Sequence, residues 1–571
     1  MNKIKQITLL IILAFAFCLT ACSNQSRLTD SVNEDGAGTQ VSGTGETDIE
    51  SDNNSENETG NAFTMDINET LSKTTDIRPG YGTTYEVFVY SFFDSDGDGI
   101  GDFNGLTSRL EYISDLGFDG IWMMPISPSP TYHKYDVTDY YGIDPEYGTM
   151  ADFENFMAAC NELGIRVIID LVINHSSSKH PWFLRAVEYL KGLDGAEPDI
   201  TECPELDFYH FSRERKSGYY RVPGTEDWFY EAVFWSEMPD LNLDNEQLRT
   251  EIENITAFWF AKGVNGFRID AAKEFFSGAP GKNIEVLTWF NDMVKIQNPD
   301  AYIVAEVWDT AAVYAPYLES GIDSVFNFTF ANQNGVIAKT VRGQRAASAF
   351  GKAMVEHDEL LSSFNPDYID APFYTNHDLG RSAGYYNGDF AYAQAKTALA
   401  LNLLMSGNTF TYYGDELGMN GAGIDENKRL AMFWSEDEKA PGMCTGPADR
   451  ENIKKRYPSY EIQKDDPLSI FNYTRNALRI RNAFPEIIQG KVMNLDDIAT
   501  EALAAFTKSY DGSQITVLAN LSTEEVVVKL DSIADIQTGS GITAVLLTDE
   551  KPVKIEDGMM MLPPFSIVIF K

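Results

Sequence analysis

The 571-residue chain is short of positive charge: 44 Lys and Arg stand against 86 Asp and Glu, a formal net charge of −42. So acidic a surface repels phosphate backbones and anionic head groups, which excludes a nucleic-acid-binding role. Cysteine is scarce as well. Once Cys18 and Cys22 of the N-terminal segment are set aside, only Cys160, Cys203 and Cys444 remain, none in a CxxC pair. An odd number cannot close a full disulfide set, so neither zinc nor thiol chemistry is indicated, and all three are expected to be buried or incidental. The apolar run near the start, Ile7–Leu19, has 13 residues, too few for a stable bilayer-spanning helix. No sequence repeat of fixed period is present, which argues against a solenoid.

What the chain does have is apolar residues, 43% of the total, enough for most of it to fold. Its length exceeds what one hydrophobic core usually supports, so several domains are expected. Aromatic residues reach 12%, with 28 Tyr and 8 Trp, a composition suited to stacking against flat apolar faces such as those of sugar rings.

Residues 1–21 read as an export signal: Lys3 and Lys5 precede the apolar run, which ends Leu19-Thr20-Ala21-Cys22. That ending is similar to a bacterial lipobox, so cleavage before Cys22 and acylation of Cys22 are expected. Several acyl chains on one residue anchor stably, which places the protein on the extracytoplasmic face of a cell membrane. Residues 22–75 then read as the lipidated Cys22 and an acidic linker; from 23 to 75 the net charge is −9 and no apolar period is apparent.

From residue 76 the pattern is strand–helix alternation. Thr84–Tyr90, Gly120–Met124, Ile165–Leu171, Gly266–Asp270, Tyr302–Glu306, Ser324–Phe328, Ile369–Tyr374 and Thr409–Tyr413 read as buried strands, with amphipathic stretches such as Met150–Leu163, Glu246–Ala261 and Tyr392–Met405 between them. Eight such strands predict an α/β fold, a (β/α)₈ TIM barrel over residues 76–173 and 246–488. The gap after the third strand, 174–245, is too long for a plain loop and reads as a small inserted domain. Residues 489–571 turn to period-2 segments, Gln514–Leu521, Glu525–Leu530, Thr543–Leu547 and Ser566–Phe570, as in an antiparallel β-sandwich.

Barrel chemistry sits at the carboxyl ends of strands. Here those ends read Asp170-Leu-Val-Ile-Asn174-His175, Gly266-Phe-Arg268-Ile-Asp270-Ala-Ala-Lys273-Glu274, Ala305-Glu306-Val-Trp308 and Thr375-Asn376-His377-Asp378. Arg268 and Asp270 are two apart on a strand, so both point into the same space. Gathering several carboxylates, an Arg and His residues on one rim is costly unless they act together.

These segments, in this order and spacing, resemble the signature regions of the α-amylase superfamily, glycoside hydrolase family 13, over roughly residues 80–571. Met238-Pro-Asp240-Leu-Asn242 is similar to a fifth region, in the wording of the subgroup intermediate between oligo-1,6-glucosidases and neopullulanases, which includes bacterial lipoprotein α-amylases. The resemblance implies Asp270 as nucleophile, Glu306 as general acid/base and Asp378 as the carboxylate that holds sugar hydroxyls near the transition state. It implies substrate contacts from His175 and His377, and from Tyr135 as a platform under the sugar with His133 beside it. Arg268 should keep the nucleophile ionised, while Glu306 needs a raised pKa. Lys273 matches a lysine that α-amylases use on the leaving side, whereas Glu274 departs from the His often found there.

Asp94-Ser-Asp96-Gly-Asp98-Gly99-Ile100-Gly-Asp102 has carboxylates at loop positions 1, 3, 5 and 9, a glycine at 6 and, in Ile100, a backbone carbonyl at 7. This is the ligand order of a calcium loop, although position 12 is Gly105 instead of Glu. Ca²⁺ is therefore the expected cofactor, held by Asp94, Asp96, Asp98, Ile100 and Asp102. A second calcium site near Asn174 is not claimed, because Asn242 stands where an Asp is usual.

The reading is thus an exported, membrane-tethered retaining hydrolase of α-1,4-glucosidic bonds in starch-type glucans and maltooligosaccharides. An α-glucosidase, cyclomaltodextrinase or 4-α-glucanotransferase would use the same site. From a different class, a non-catalytic glucan-binding lipoprotein would have lost rim carboxylates, yet Asp270, Glu306 and Asp378 are all present. No protein partner is implied.

Overall fold

The computed structural model describes residues 61–193, 195–533 and 541–571. The expected export signal and Cys22 lie outside the described residues. Eight parallel strands form the central sheet: β1 (Gly82–Val87), β2 (Gly120–Met123), β3 (Arg166–Leu171), β4 (Gly266–Ile269), β5 (Tyr302–Ala305), β6 (Ser324–Asn327), β7 (Ala371–Pro372) and β8 (Asn408–Tyr412). Their spatial order is β7-β6-β5-β4-β3-β2-β1-β8, and a parallel bridge between Phe373 and Phe410 brings β7 against β8, closing the ring. Nearly every strand residue is buried, as continuous apolar runs require when both sheet faces are covered. Trp122 of β2, Phe326 of β6 and Phe410 of β8 pack ring to ring at 5.0–6.0 Å. β2 and β6 are not neighbours, so these rings meet across the barrel interior. β7 is shorter than its apolar run predicted because Pro372 has no N–H to offer a ladder.

Between β3 and β4 the chain forms a helix, Pro181–Lys191, and a three-stranded sheet of Phe211–Ser212, Tyr219–Arg221 and Phe229–Glu231. It is stitched to the exit of β3 by a His175–Asp240 bridge and by the Leu241 N–H to the Asn174 carbonyl, 2.9 Å. That position overhangs the carboxyl end of the barrel.

After the helix Ile470–Ala483 come two antiparallel sheets. One has five strands in the order Lys491–Asn494, Leu503–Tyr510, Ser513–Asn520, Ile567–Phe570 and Ile542–Leu546. Its alternate residues serve two cores: Ala504, Phe506 and Val517 join the barrel's, while Leu503, Ala505 and Leu518 face the second sheet. The five-stranded sheet is thus the middle layer of three.

The second sheet corrects the sequence reading. It contains Val526–Lys529, Met559–Leu562, Val553–Glu556 and, at its edge, Asn61–Phe63. Residues 61–75 are therefore not solvated linker. Phe63, Met65 and Ile67, spaced two apart, pack on the sandwich core; the polar residues around them hid that period. In the following 3₁₀ turn Asn68 is fully buried, its Nδ2 donating to the Val545 carbonyl (2.7 Å) and its Oδ1 accepting from the Val545 N–H (3.1 Å). Asn68→Ala strands both backbone groups and is expected to cost about 1–3 kcal/mol, measurable by urea unfolding; an unchanged midpoint would mean that this segment does not stabilise the sandwich.

Cys160, Cys203 and Cys444 are free and buried. Among the described residues no helix is long and apolar enough to cross a membrane.

Candidate active site

Arg268, fully buried on β4, is the hub of the rim. Its Nη1 reaches Asp270 Oδ1 at 2.6 Å and Asp170 Oδ1 at 2.8 Å, and its Nη2 lies 3.0 Å from Glu306 Oε2. Residues of three strand ends are thereby drawn onto one guanidinium. Asp270 and Arg268 share a face because side chains two apart on a strand do so. Immediately beyond, Ala271 turns through a left-handed conformation (φ 47°), and its N–H points at Glu306 Oε2, 3.2 Å away. Glu306 Oε1 is buried and has no protein partner.

A second group faces this one from the β7 exit. His377 is fully buried; its Nδ1 contacts Glu86 Oε1 of β1 at 2.6 Å and its Nε2 lies 3.1 Å from Asp378 Oδ2. Tyr135 stacks on His377 (centroids 5.5 Å, planes 17° apart), and its hydroxyl links His377 Nε2 (2.6 Å) to Asp170 Oδ2 (3.1 Å), tying the two groups together. Arg429 Nη2 donates to Asp378 Oδ1 at 2.9 Å.

The electrostatics separate the carboxyls. Burial pushes Glu306 above its ordinary range; Arg268 opposes this, while Asp270 and Asp378 add to it. Burial would raise Asp378 too, but His377 and Arg429 outweigh that and hold it far below the usual carboxylate range. His377 is raised to about 9, since Asp378 and Glu86 overcome the burial that favours the neutral ring. One carboxyl is pushed toward its protonated form and another toward its charged form, the division of labour that acid-assisted bond cleavage needs.

The other expected contacts lie on the same rim. His175 is buried, bonded through Nδ1 to Asn174 Oδ1 (3.0 Å), with Nε2 free of any protein partner. His133 accepts the Tyr135 N–H at 3.1 Å, and burial lowers it to about 4, so it stays neutral. Lys273 pairs with Asp309 (2.9 Å) at the edge, beside Trp308.

In the loop after β1, oxygens of Asp94, Asp96 and Asp102 lie within 4.8 Å of one another. Three hard oxygen donors so close fit a calcium-like cation. The set is narrower than the spacing predicted. Asp98 turns its carboxylate to the Ile100 N–H (2.7 Å) and does not join the trio, and the neighbouring Gly99 carbonyl accepts from the Thr445 N–H (2.7 Å). Asp102 also caps the helix Phe103–Ser108, accepting the Gly105 N–H at 2.8 Å.

Comparison with known proteins agrees with this geometry. The family described as "Alpha amylase, catalytic domain" matches residues 86–490. The chain belongs to the α-amylase family. It is 35% identical over 491 residues to a protein named Alpha-amylase 3 from Dictyoglomus thermophilum, a match covering 85% of this chain and 92% of that protein. It is 30% identical over 456 residues to a 4-alpha-glucanotransferase from Thermotoga maritima, covering 78% and 96%. The solved structure of Eubacterium rectale Amy13B superposes with a TM-score of 0.86 at 47% identity, covering 90% of this chain and 99% of that one. The protein is a glycoside hydrolase of the α-amylase type.

For a member of the α-amylase family, three rim residues escaped the sequence reading. Asp170 was visible at a strand end but given no role, although it is the second carboxylate on Arg268. Glu86 is 1% exposed in β1; a lone Glu within an apolar strand was the available signal. Arg429 comes from the segment after β8, where Asn427-Lys428-Arg429 carries no spacing that marks it.

Proposed function

We propose that this enzyme is an exported, membrane-tethered retaining hydrolase of α-1,4-glucosidic bonds in starch-type glucans and maltooligosaccharides. The observation that carries the reading is Arg268 set between Asp270 and Glu306, at 2.6 and 3.0 Å, with Asp378 held ionised opposite. Glu306 gives its proton to the glycosidic oxygen while an Asp270 oxygen bonds to the anomeric carbon; the C–O bond breaks and the leaving glucan departs with a free hydroxyl. Glu306, now a carboxylate, takes a proton from water, whose oxygen displaces Asp270 and leaves the anomeric configuration as it began. His377, His175, Tyr135 and Asp378 hold the sugar ring.

Linkage preference follows from Ala271, which is small and leaves room beside the scissile bond where a β-branched residue would narrow it. Maltotetraose is expected to be cleaved well and isomaltose poorly in a time course of products; faster hydrolysis of isomaltose would refute the α-1,4 assignment. Glucan transfer is the second reading, favoured by the likeness to the Thermotoga maritima glucanotransferase. Oligosaccharides longer than the supplied maltotetraose, dominating the products, would support it instead.

Calcium is proposed at Asp94, Asp96 and Asp102, where it would neutralise three converging carboxylates. Asp96→Ala disturbs the loop least, because Asp96 accepts one exposed amide, the Asp98 N–H (3.1 Å), whereas Asp94 and Asp102 each accept several that fold the segment. Saturation at about a hundredfold over Kd adds about 2.7 kcal/mol to a folded protein. Calcium should therefore raise the Tm of the wild type and leave Asp96→Ala nearly unmoved; equal responses would remove the site.

Tethering rests on Cys22 and the signal before it. Cys22→Ser should release the enzyme from the membrane fraction.

A further inference from the structure

Val233, Phe234 and Trp235 are consecutive apolar residues on the inserted segment, and all three are exposed, by 39%, 50% and 44%. Large apolar side chains held together in water mark a binding surface more often than chance packing. The backbone beneath them is held at several points. Val233 N–H donates to the buried Asp240 Oδ2 (3.0 Å), Met238 N–H to the Trp235 carbonyl (2.8 Å), Ser178 N–H to the Glu237 carbonyl (2.8 Å), and the Tyr230 hydroxyl to the Ser236 carbonyl (2.6 Å). Ala232 and Asp240, flanking the exposed residues, are 0% and 4% exposed. The loop is fixed from both sides while its aromatic side chains stay outside, which is preorganisation for a partner.

The surface is continuous with the rim. Phe234's ring lies 5.6 Å from the ring of His175, whose Nε2 is buried without a protein partner. Trp235 follows it and makes no ring contact among the described residues. A glucan offers patches of C–H bonds edged by hydroxyls, which match aromatic faces with polar groups nearby. An anionic lipid surface is disfavoured by the net charge of −42.

We infer that Phe234 and Trp235 form a shelf binding a glucose unit beyond those held at the rim, and that Trp235 sets the preference for longer chains. The inference rests on the glucan-hydrolase reading above. Its test measures binding by calorimetry on the full chain in detergent, in the Asp270→Asn background so that ligands survive. Trp235→Ala should weaken maltoheptaose binding about tenfold, the scale of one lost aromatic contact, and maltotriose binding by less than about twofold. Trp235→Phe should restore most of the loss. An equal effect on both sugars, no effect on either, or no maltoheptaose binding by the parent would overturn the shelf. If the parent binds maltoheptaose with the expected dependence on Trp235 while the wild type releases no reducing ends, the shelf stands and the hydrolase reading falls.

Discussion

Asp270→Ala is expected to lower kcat on the order of 10⁴-fold or more, the scale seen when a nucleophile that works as part of a unit is removed. Without it no covalent glycosyl intermediate can form, and Arg268 is left facing Asp170 and Glu306 alone. Glu306→Gln should differ in kind. An activated aryl glycoside needs little protonation of its leaving group, so its cleavage step should survive far better than that of maltotetraose. The pH dependence has a definite sign. Glu306 acts while protonated and its pKa is raised, so kcat/KM should fall as pH rises through a value above the ordinary glutamate range. That alkaline limb should vanish in Glu306→Gln, and a limb unchanged in the variant would assign the acid elsewhere.

Arg429→Met is the second large effect expected. Arg429 is 3% exposed and ties Asp378 Oδ1 (2.9 Å), the His377 carbonyl (3.3 Å) and the Tyr132 hydroxyl (3.3 Å) together. Preorganised charges of this kind are worth about 10²–10³ in rate, and kcat/KM should drop by that order. Arg429→Lys keeps the charge but loses the fork of donors, so recovery should be partial. The depressed Asp378 pKa also contributes stability, present above the unfolded value and lost as pH falls through the folded one. Without Arg429 the folded value rises, so acid unfolding should begin at a higher pH. A variant with wild-type kinetics and an unmoved acid transition would leave Arg429 without a part in the site.

The legibility of the sequence follows the range of each interaction. Asp270, Glu306 and His377 could be placed at the rim because each adjoins a strand whose apolar run is local, and the strand's end tells where its neighbours point. The barrel was readable for the same reason, since parallel strands buried on both faces are continuous in sequence. Arg429 and Glu86 act on His377 and Asp378 across 51 to 291 residues of chain, and no local pattern carries that. Leu503–Tyr510 escaped as a strand because both faces are buried by different layers, which erases the period-2 signal, and because Lys508 interrupts it. Its ammonium is nonetheless fully buried, capping the Leu404 and Ile487 carbonyls at 2.7 Å each. The edge strand Asn61–Phe63 pairs with residues nearly 500 positions later, Ile555 among them, and its acidic surroundings read as linker. The convergence of Asp94, Asp96 and Asp102 was legible in their spacing, but spacing alone could not show that Asp98 would turn to the Ile100 amide.

In the proposed mechanism Asp270 attacks the anomeric carbon from the ring face opposite the leaving group while Glu306 protonates the glycosidic oxygen, with the carboxyl groups at the separation of about 5–5.5 Å that retention requires. Proton NMR of the first products from maltotetraose tests it most directly, before mutarotation mixes the anomers. Double displacement predicts that the newly formed reducing end appears first as the α-anomer. A β-anomer appearing first would require direct attack by water and would contradict the assignment of Asp270.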